Sequence, residues 1–477
     1  MDIGLIQTVL SNWELKNPFT EKCLKEDSLR PVYRIRTDAG RFILKGYSEK
    51  TPEETIKSNI LAHLFLGNEK GFAPKIFPTT AGDYYVCCQG YWFYLMEFID
   101  GRQLSETPED EFLLGQTVRK MHALQGYGVK SHFTQSKLKY YKWFRDRSFV
   151  REFDAILDGI PDFEKLDQCF VHTDLGPHNA MLDQNGRVVL VDLDDSGIGS
   201  RFLDLGWPFI MQFVDFNHDT EEMQYRFDLA ESFLRGYYGE NGIPREEFDL
   251  IFHGAEQMHI SYMQTYGPYA VDSLWKILIF GRDQKEKLWN RIHNTKEILF
   301  KTEHLLVRKF RPDDAKRLYE YHLDENVKQW MPNESYADVA EAEDAIGFFS
   351  DCVENDHLPY VLAVELKRNG ELIGDTGINE VEGKQGEIEI GYVISDRYCG
   401  NGYATELVNA MTAFVISKFG TKVLYGRVMH ENKASARVLE KNGYSFSEEE
   451  FEAEDDPYGN GMLVYVYHGF KSEPTES

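Results

Sequence analysis

No stretch of this 477-residue chain approaches the roughly 18 consecutive apolar residues needed to cross a bilayer, so no membrane-spanning helix is expected. Basic residues are scarce: 52 Lys and Arg face 79 Asp and Glu, for a formal charge of −27, which argues against a surface that neutralises nucleic-acid phosphates. The acid excess runs through both halves, with 34 acidic against 18 basic residues from residue 301 onward. It reads either as a solvated surface that keeps the protein soluble or as a field that steers cationic substrates such as polyamines or aminoglycosides into clefts. Cysteine is sparse too. The six residues, at 23, 87, 88, 169, 352 and 399, form no Cys-x-x-Cys and no His-paired zinc pattern, so reduced thiols in a cytoplasmic protein are expected. The opening MDIGLIQTVLSNWELK puts no basic residue ahead of its short apolar stretch and does not fit a secretory signal. Linkers rich in Gly/Ser or Pro are missing, as are internal repeats.

What is present is side-chain volume, with 32 Phe and 27 Tyr, on a chain too long for one ordinary core; two domains are expected, 1–300 and 301–477. Residues 32–45 alternate around Asp38-Ala39-Gly40 and predict a hairpin. A helix from Pro52 to Leu66 with Thr51 as N-cap follows, then strands at Tyr84–Cys88 and Trp92–Phe98, giving a β-rich small lobe over residues 1–100. Between 101 and 300 long amphipathic segments take over, at Glu111–Ala123, Tyr140–Leu157, Thr220–Tyr238, Glu246–Tyr266 and Val271–Phe300, around one β-like island at 168–195. Helix aromatics such as Tyr140, Tyr141 and Trp143 read as core. From Lys301 strands alternate with helices, implying a mixed α/β sheet. The acidic run Ser447–Asp456 reads as a solvated connector or a substrate contact, and the tail from Lys471 as disordered.

The island contains FVHTDLGPHNAMLDQNGRVVLVDLDDSGIGSRFLDLGW, residues 170–207. Phosphoryl transfer to a hydroxyl needs a carboxylate to orient the acceptor and take its proton, and oxygen ligands to hold Mg²⁺ against nucleotide phosphates. Asp174 fits the base, and Asn179 and Asp192 fit the metal ligands. The turn Asp183–Gly186 makes the stretch a hairpin that brings the Asn179 and Asp192 ends together.

On these residues the chain resembles the aminoglycoside phosphotransferase and choline kinase superfamily, a branch of the protein-kinase fold, over about residues 20–290. The resemblance implies an α+β two-lobed domain that uses ATP. Lys45 would pair with the nucleotide phosphates, and the segment Phe93–Phe98, with Glu97, Phe98 and Ile99 at its end, would contact adenine through its backbone. Asp204 would brace the catalytic loop and His172 would pack it. Two departures stand out: the segment EDSLRPVYR lacks the usual phosphate-loop glycine, and the inserted helix shows Lys57, Ser58 and Asn59 where the glutamate partner of Lys45 belongs.

A second constellation lies in residues 386–446. Arg397-Tyr398-Cys399-Gly400-Asn401-Gly402 stands between a strand and a helix that opens Tyr403-Ala404-Thr405. Glycines at a helix mouth expose backbone N–H groups and a positive dipole end to a pyrophosphate. With Asn432-Lys433-Ala434-Ser435 and Leu439-Glu440-Lys441-Asn442-Gly443-Tyr444 further on, this resembles the GNAT acetyltransferases, most closely the branch acting on N-terminal amines of ribosomal proteins, over about residues 302–470. The resemblance implies acetyl-CoA held by Gly400, Asn401, Gly402, Tyr403 and Ala404, with Arg397 at the edge of the pyrophosphate and Asn432 near the pantetheine arm. Attack of an amine on a thioester needs a base and a proton donor. Glu389 is the candidate base, though it also fits an exposed strand residue. Leu439 stands where many relatives carry a tyrosine acid, and Ser435 matches the serine of the ribosomal-protein branch, although helix serines also serve as caps.

The reading is therefore a protein-kinase-like domain followed by a mixed α/β GNAT domain in a bifunctional transferase. It would use ATP, Mg²⁺ and acetyl-CoA on a small-molecule acceptor such as a cationic amine or aminosugar, without nucleic-acid or membrane partners. The alternative is an N-acetyltransferase of protein or peptide amines whose kinase-like half only binds or regulates.

Overall fold

The short apolar stretch at the N-terminus folds as helix α1 (Ile3–Leu10), whose Leu5, Ile6, Val9 and Leu10 pack on Tyr33, Ile35, Leu44, Phe93 and Leu95 of the sheet that follows. The computed structural model describes residues 3–25, 29–131, 146–239, 242–293, 297–381, 383–384, 386–451 and 458–468. These fall into two compact units, Met1–Ile292 and His293–Ser477.

In the first unit β1 (Phe19–Lys25), β2 (Val32–Thr37) and β3 (Gly40–Tyr47) form an antiparallel meander, with the expected turn at Gly40 made by a φ of 135°. Helix α2 (Glu53–His63) is capped by an extended Pro52 rather than Thr51, with no side chain bonded to the first turn, and it widens into a π-turn through Glu69. β4 (Ile76–Phe77), β5 (Val86–Cys88) and β6 (Tyr91–Glu97) complete a six-stranded sheet in the order β1-β2-β3-β6-β4, with β5 on β6.

Beyond it lie β7 (Gly101–Gln103), α3 (Pro108–His122), α4 (Val150–Gly159), β8 (Gln168–Val171), β9 (Ala180–Asp183), β10 (Val188–Leu190), β11 (Gly197–Ser200), α5 (Arg201–Met211), β12 (Val214–Phe216), β13 (Met223–Tyr225), α6 (Phe227–Tyr238), α7 (Arg245–Asp283) and α8 (Lys285–His293). Helices α3 and α6 cross at Gly115 and Gly236, where an added Cβ would lie 2.3 and 2.2 Å from backbone oxygens, and one large aromatic core fills the space between the helices.

Four expectations change here. The helix expected from Thr220 starts at Phe227, because Met223–Tyr225 pairs with Val214–Phe216 as a hairpin. The helices expected at Glu246–Tyr266 and Val271–Phe300 are the two segments of α7, which meet at Ala270, a residue of non-helical φ −142° and ψ 17°; the second ends at Asp283, is followed by α8 and does not reach Phe300. The helix expected from Tyr140 is α4 from Val150; Tyr140, Tyr141 and Trp143 lie outside the described residues. The domain boundary moves from 300/301 to 292/293, because Ile298–Lys301 is a strand of the second unit's sheet.

One buried acid marks this unit. Glu111 on α3 is 1 % exposed, and its Oε2 has no hydrogen-bond partner among the described residues. Burial, reinforced by Glu106, Asp228 and Asp110, holds its carboxyl well above the usual range. A folded-state pKa above the unfolded one means that the native state binds the extra proton, so stability falls as pH rises from the ordinary glutamate range near about 4.3. Glu111→Gln removes that titration. The variant is expected to unfold at a higher temperature than the parent, with a gap that widens from pH 5 to pH 8 in parallel melts; an equal gap at both pH values would contradict the assignment.

In the second unit β14 (Ile298–Lys301), β15 (Leu305–Arg308), α9 (Ala315–His322), α10 (Glu325–Trp330), α11 (Val339–Glu354), β16 (Tyr360–Leu366), β17 (Leu372–Glu380), β18 (Ile388–Ile394), α12 (Tyr403–Phe419), β19 (Val423–Met429), α13 (Lys433–Lys441), β20 (Ser445–Glu450) and β21 (Met462–His468) build one sheet. Its order is β14-β15-β16-β17-β18-β19-β21-β20. Only β18 and β19 run parallel, and they pair only at Ile388–Leu424 and Glu389–Tyr425 before diverging. Ile378, Ile388, Ile390 and Ile394 face α12, whereas Val393, Ala363 and Leu372 face α9, α10 and α11. No helix among the described residues is long and apolar enough to cross a membrane. The acidic run expected at Ser447–Asp456 is described only to Phe451, and Lys471–Ser477 lie outside the described residues.

Candidate active sites

The first site is built on the hairpin β9–β10, whose register sets Ala180 against Leu190. The next rung outward is a bond from Val191 N to the Asn179 carbonyl at 2.9 Å, which places Asn179 beside the start of Asp192. Asn179 Nδ2 donates to the Asp174 carbonyl at 2.9 Å and to its carboxylate at 2.8 Å. Its Oδ1 is thereby left as the acceptor end of the amide. His178 Nε2 lies 3.5 Å from the other Asp174 oxygen. Burial alone would raise the Asp174 carboxyl, but the hydrogen bond and charge of His178, with His172 and Asn179, hold it below its usual value. The same bond raises His178 against its own partial burial.

Behind this loop Asp204 is wholly buried and accepts from His172 N at 2.9 Å, Thr173 N at 2.6 Å and the His122 ring at 3.0 Å. His172 turns its Nε2 to the Val191 carbonyl at 2.9 Å. Asp204 thus ties the backbone at 172 and 173 to His122 of α3, and His172 ties it to Val191.

Lys45 lies on β3, buried, with Nζ 2.7 Å from both Asp192 Oδ1 and Asp194 Oδ1. Burial opposes the ammonium charge, but Asp194 and Asp192 outweigh it and raise Lys45 well above its ordinary value. The two aspartates differ in exposure: the Asp192 side chain is 47 % exposed, that of Asp194 only 6 %. Asp194 also accepts from the Tyr47 hydroxyl, and the Arg30 guanidinium lies 3.2 Å away. The α2 residue at the glutamate's expected place, Asn59, turns to the same spot, its amide donating to the Asp194 carbonyl at 2.8 Å in its better-satisfied orientation. The buried carboxylate beside Lys45 thus comes from the loop after β10 and not from α2. Sequence reasoning passed over Asp194, Tyr47 and Arg30; the signal was the second acid of Val191-Asp192-Leu193-Asp194. Of the three adenine-side residues, Glu97 already donates its N–H to the Lys75 carbonyl at 2.8 Å.

The second site is an open cleft of roughly 1960 Å³ in the second unit, lying where β18 and β19 part. Gly400 and Gly402 carry φ values of 81° and 87°, and Gly402 is the N-cap of α12 with no side chain covering the first turn. The leading N–H groups of an α-helix have no partner inside the helix, so this end presents donors and positive potential. Gly400, Gly402, Tyr403 and Ala404 line the cleft, as do Glu389, Asn432 and Ser435. Arg397 and Asn401 stand outside the lining: Arg397 is 3.5 Å from Glu371, and the Asn401 amide donates to the Tyr398 carbonyl at 3.0 Å. The Asn432 side chain caps α13 by accepting from Ser435 N at 3.1 Å. Glu389 is bonded to Arg427 Nε at 2.9 Å. Ser435 Oγ meets the Tyr392 hydroxyl at 2.9 Å, a partner the sequence did not suggest. Burial pushes the Tyr392 phenol up to about 12, so it keeps its proton at neutral pH. Leu439 is buried against Gly426, where an added Cβ would lie 2.9 Å from its Cδ1.

Comparison with known proteins divides the chain in the same way. Residues 22–238 match the model of the phosphotransferase enzyme family, and residues 304–445 match that of the acetyltransferase (GNAT) domain. The uncharacterized N-acetyltransferase p20 of Bacillus licheniformis is 29 % identical over 166 residues, 35 % of this chain and 91 % of that protein. The uncharacterized N-acetyltransferase YoaA of Bacillus subtilis is 25 % identical over 146 residues, 31 % of this chain and 82 % of its own. Among solved structures, a GNAT-family acetyltransferase from Bacillus anthracis is 22 % identical and covers 35 % of this chain and 96 % of its own, with a TM-score of 0.31.

Proposed function

Since this chain is a transferase that joins a phosphotransferase-family domain to a GNAT acetyltransferase domain, we propose that it is bifunctional, carrying out ATP-dependent phosphoryl transfer in its first unit and acetyl transfer from acetyl-CoA to an amine in its second. The observation that carries this reading is the pairing of Lys45 with Asp194, which supplies the carboxylate that α2 lacks and leaves Asp192 half-exposed for a second task.

In the first unit Asp174 orients an acceptor hydroxyl and takes its proton as the oxygen attacks the terminal phosphorus of ATP and the bond to ADP breaks. Lys45 and Arg30 face the phosphates, Arg30 standing in for the missing glycine loop. The Asn179 and Asp192 side chains fit Mg²⁺, which characteristically takes one or two protein oxygens and completes its shell with phosphate and water. That ion, when bound, neutralises charge on the phosphates. Because His178 helps to keep Asp174 ionised, His178→Ala raises the Asp174 pKa toward the ordinary value. The acid limb of the phosphoryl-transfer pH profile is then expected to move to higher pH while the alkaline side stays, which a rate–pH series on both proteins would show or refute.

In the second unit the neutral amine attacks the thioester carbonyl carbon, its proton passes to Glu389, and the C–S bond breaks. The departing sulfur takes its proton from the Tyr392–Ser435 hydroxyl pair. The Gly400–Ala404 backbone holds the pyrophosphate at the N-terminus of α12.

The test is thermal stability of the purified protein with ATP and Mg²⁺, and separately with acetyl-CoA, followed by assays of ADP and CoA release over amines and aminosugars. Each ligand is expected to raise one transition. A response to acetyl-CoA with none to ATP at millimolar concentration would leave only the acetyltransferase.

A further inference from the structure

The register of β17 on β18 sets three cross-strand pairs on the sheet face turned toward α9, α10 and α11: Asp375 with Val393, Gly377 with Gly391, and Asn379 with Glu389. Their side-chain positions follow one another at every second residue, so the middle rung is a pair of glycines facing one another across the strands. Strand glycine is destabilising against alanine and normally answers a local demand. In the same sheet Gly374 has one, since an added Cβ would lie 2.0 Å from the Val393 carbonyl oxygen. Gly377 and Gly391 have none: neither φ is positive, a Cβ at Gly391 would meet nothing within 4 Å, and one at Gly377 would meet only Asn379 Nδ2 at 3.6 Å. The space above them belongs to the same cleft as Gly402 and Ser435 and is walled by Trp330, Tyr336 and Phe349.

At one end of this trough Asp375 is fixed by the Tyr321 hydroxyl at 2.7 Å and the His322 ring at 3.1 Å; at the other stands Glu389 with Arg427. Four residues of strand separate Asp375 from Asn379, a span of roughly 13 Å. Across the whole cleft lining nine Asp and Glu side chains stand against three Lys and Arg, so the field inside it favours a cation beyond what any single pair could hold.

We propose that the Gly377–Gly391 floor is the seat of the acetyl acceptor, and that this acceptor is a slim aliphatic polyamine lying along the strands, one primary amine at the thioester and its other charges in the acidic cleft. An extended polycation matches a strip of bare backbone running along the strands under a lining dominated by acid side chains, and an aminocyclitol and a peptide α-amine are the competing acceptors that the test separates. The inference rests on the acetyltransferase reading above and adds the substrate class.

The test uses the full chain and three probes: a linear triamine, an aminocyclitol antibiotic, and a short peptide with a free α-amine, each with acetyl-CoA. Parent, Gly391→Ala and Gly391→Val are compared. Fastest acetylation of the triamine is expected, with KM for it rising at least tenfold from parent to Val, Ala falling between, unchanged stabilisation by acetyl-CoA, and a melting temperature that holds or rises, because a strand favours β-branched residues and nothing fills the space. Preference for either other probe, no turnover of the triamine despite acetyl-CoA binding, or an unaltered KM in both variants would overturn the polyamine seat while sparing the acetyltransferase. Failure of the parent to bind acetyl-CoA would instead overturn the acetyltransferase reading, and this inference with it.

Discussion

Asp194→Ala is expected to cost the protein both its nucleotide response and much of its stability, whereas Asp192→Ala, two residues away, is expected to cost only the first. The difference lies in exposure and in the partners left behind. Asp194 is 6 % exposed and is shared by Lys45, Tyr47 and Arg30; removing it takes the acceptor from all three at once and leaves the buried ammonium only the half-exposed Asp192. Breaking one side of a buried pair typically costs about 3–5 kcal/mol. Asp192 is 47 % exposed, and Lys45 keeps its other carboxylate when Asp192 is lost. Melting curves with and without ATP and Mg²⁺ separate the two: a low first transition unresponsive to ligand for Asp194→Ala, and a near-parental one, equally unresponsive, for Asp192→Ala. If Asp194→Ala melted like the parent and still responded, Asp192 alone would suffice for Lys45, and the role given to Asp194 would fall.

The second large effect belongs to Gly402→Trp. At φ 87° the backbone is left-handed, a conformation that costs a bulky residue about 1–3 kcal/mol, and the indole would stand over the N–H groups at the start of α12. At acetyl-CoA concentrations near a hundred times Kd the parent gains about 2.7 kcal/mol from binding. The variant is expected to lose that gain and CoA release together, while ADP release from the first unit continues. Retained acetyl-CoA stabilisation in Gly402→Trp would place the pyrophosphate elsewhere.

Both sites were legible where chemistry is compressed into short sequence. Asn179 and Asp192 flank one hairpin, and turn residues fix a hairpin's register, so their approach follows from spacing; Asp174, in the loop before it, is joined to them by the Asn179 amide. Gly400 and Gly402 announce themselves because positive φ at a helix mouth is a glycine property. What escaped notice depends on tertiary approach. No local pattern shows that the sheet brings Lys45 and Tyr47 to Asp194, or that Asn59 turns to the same loop. Tyr392 carries no signal of its own in the strand; only the placement of α13 over the parting strands sets it against Ser435. The Met223–Tyr225 strand was lost within a helical pattern because three residues are too few to show a period. Ile298–Lys301 was absorbed into the preceding helix, since Ile-Leu-Phe fits an apolar helix face as well as a strand.

That last segment matters for how the second sheet is protected. An eight-stranded open sheet has two raw edges, each a row of unpaired amides able to recruit another chain. One edge, β20, carries Glu448, Glu449 and Glu450 on exposed positions, and charge of one sign disfavours pairing with a second copy. The other edge is β14 itself, and inside it lies β15, Leu305–Arg308, whose Leu305 and Val307 are entirely buried and which carries no acidic residue. A fragment cut after Ile298–Lys301 would therefore turn an inner strand outward and present β15 as its edge.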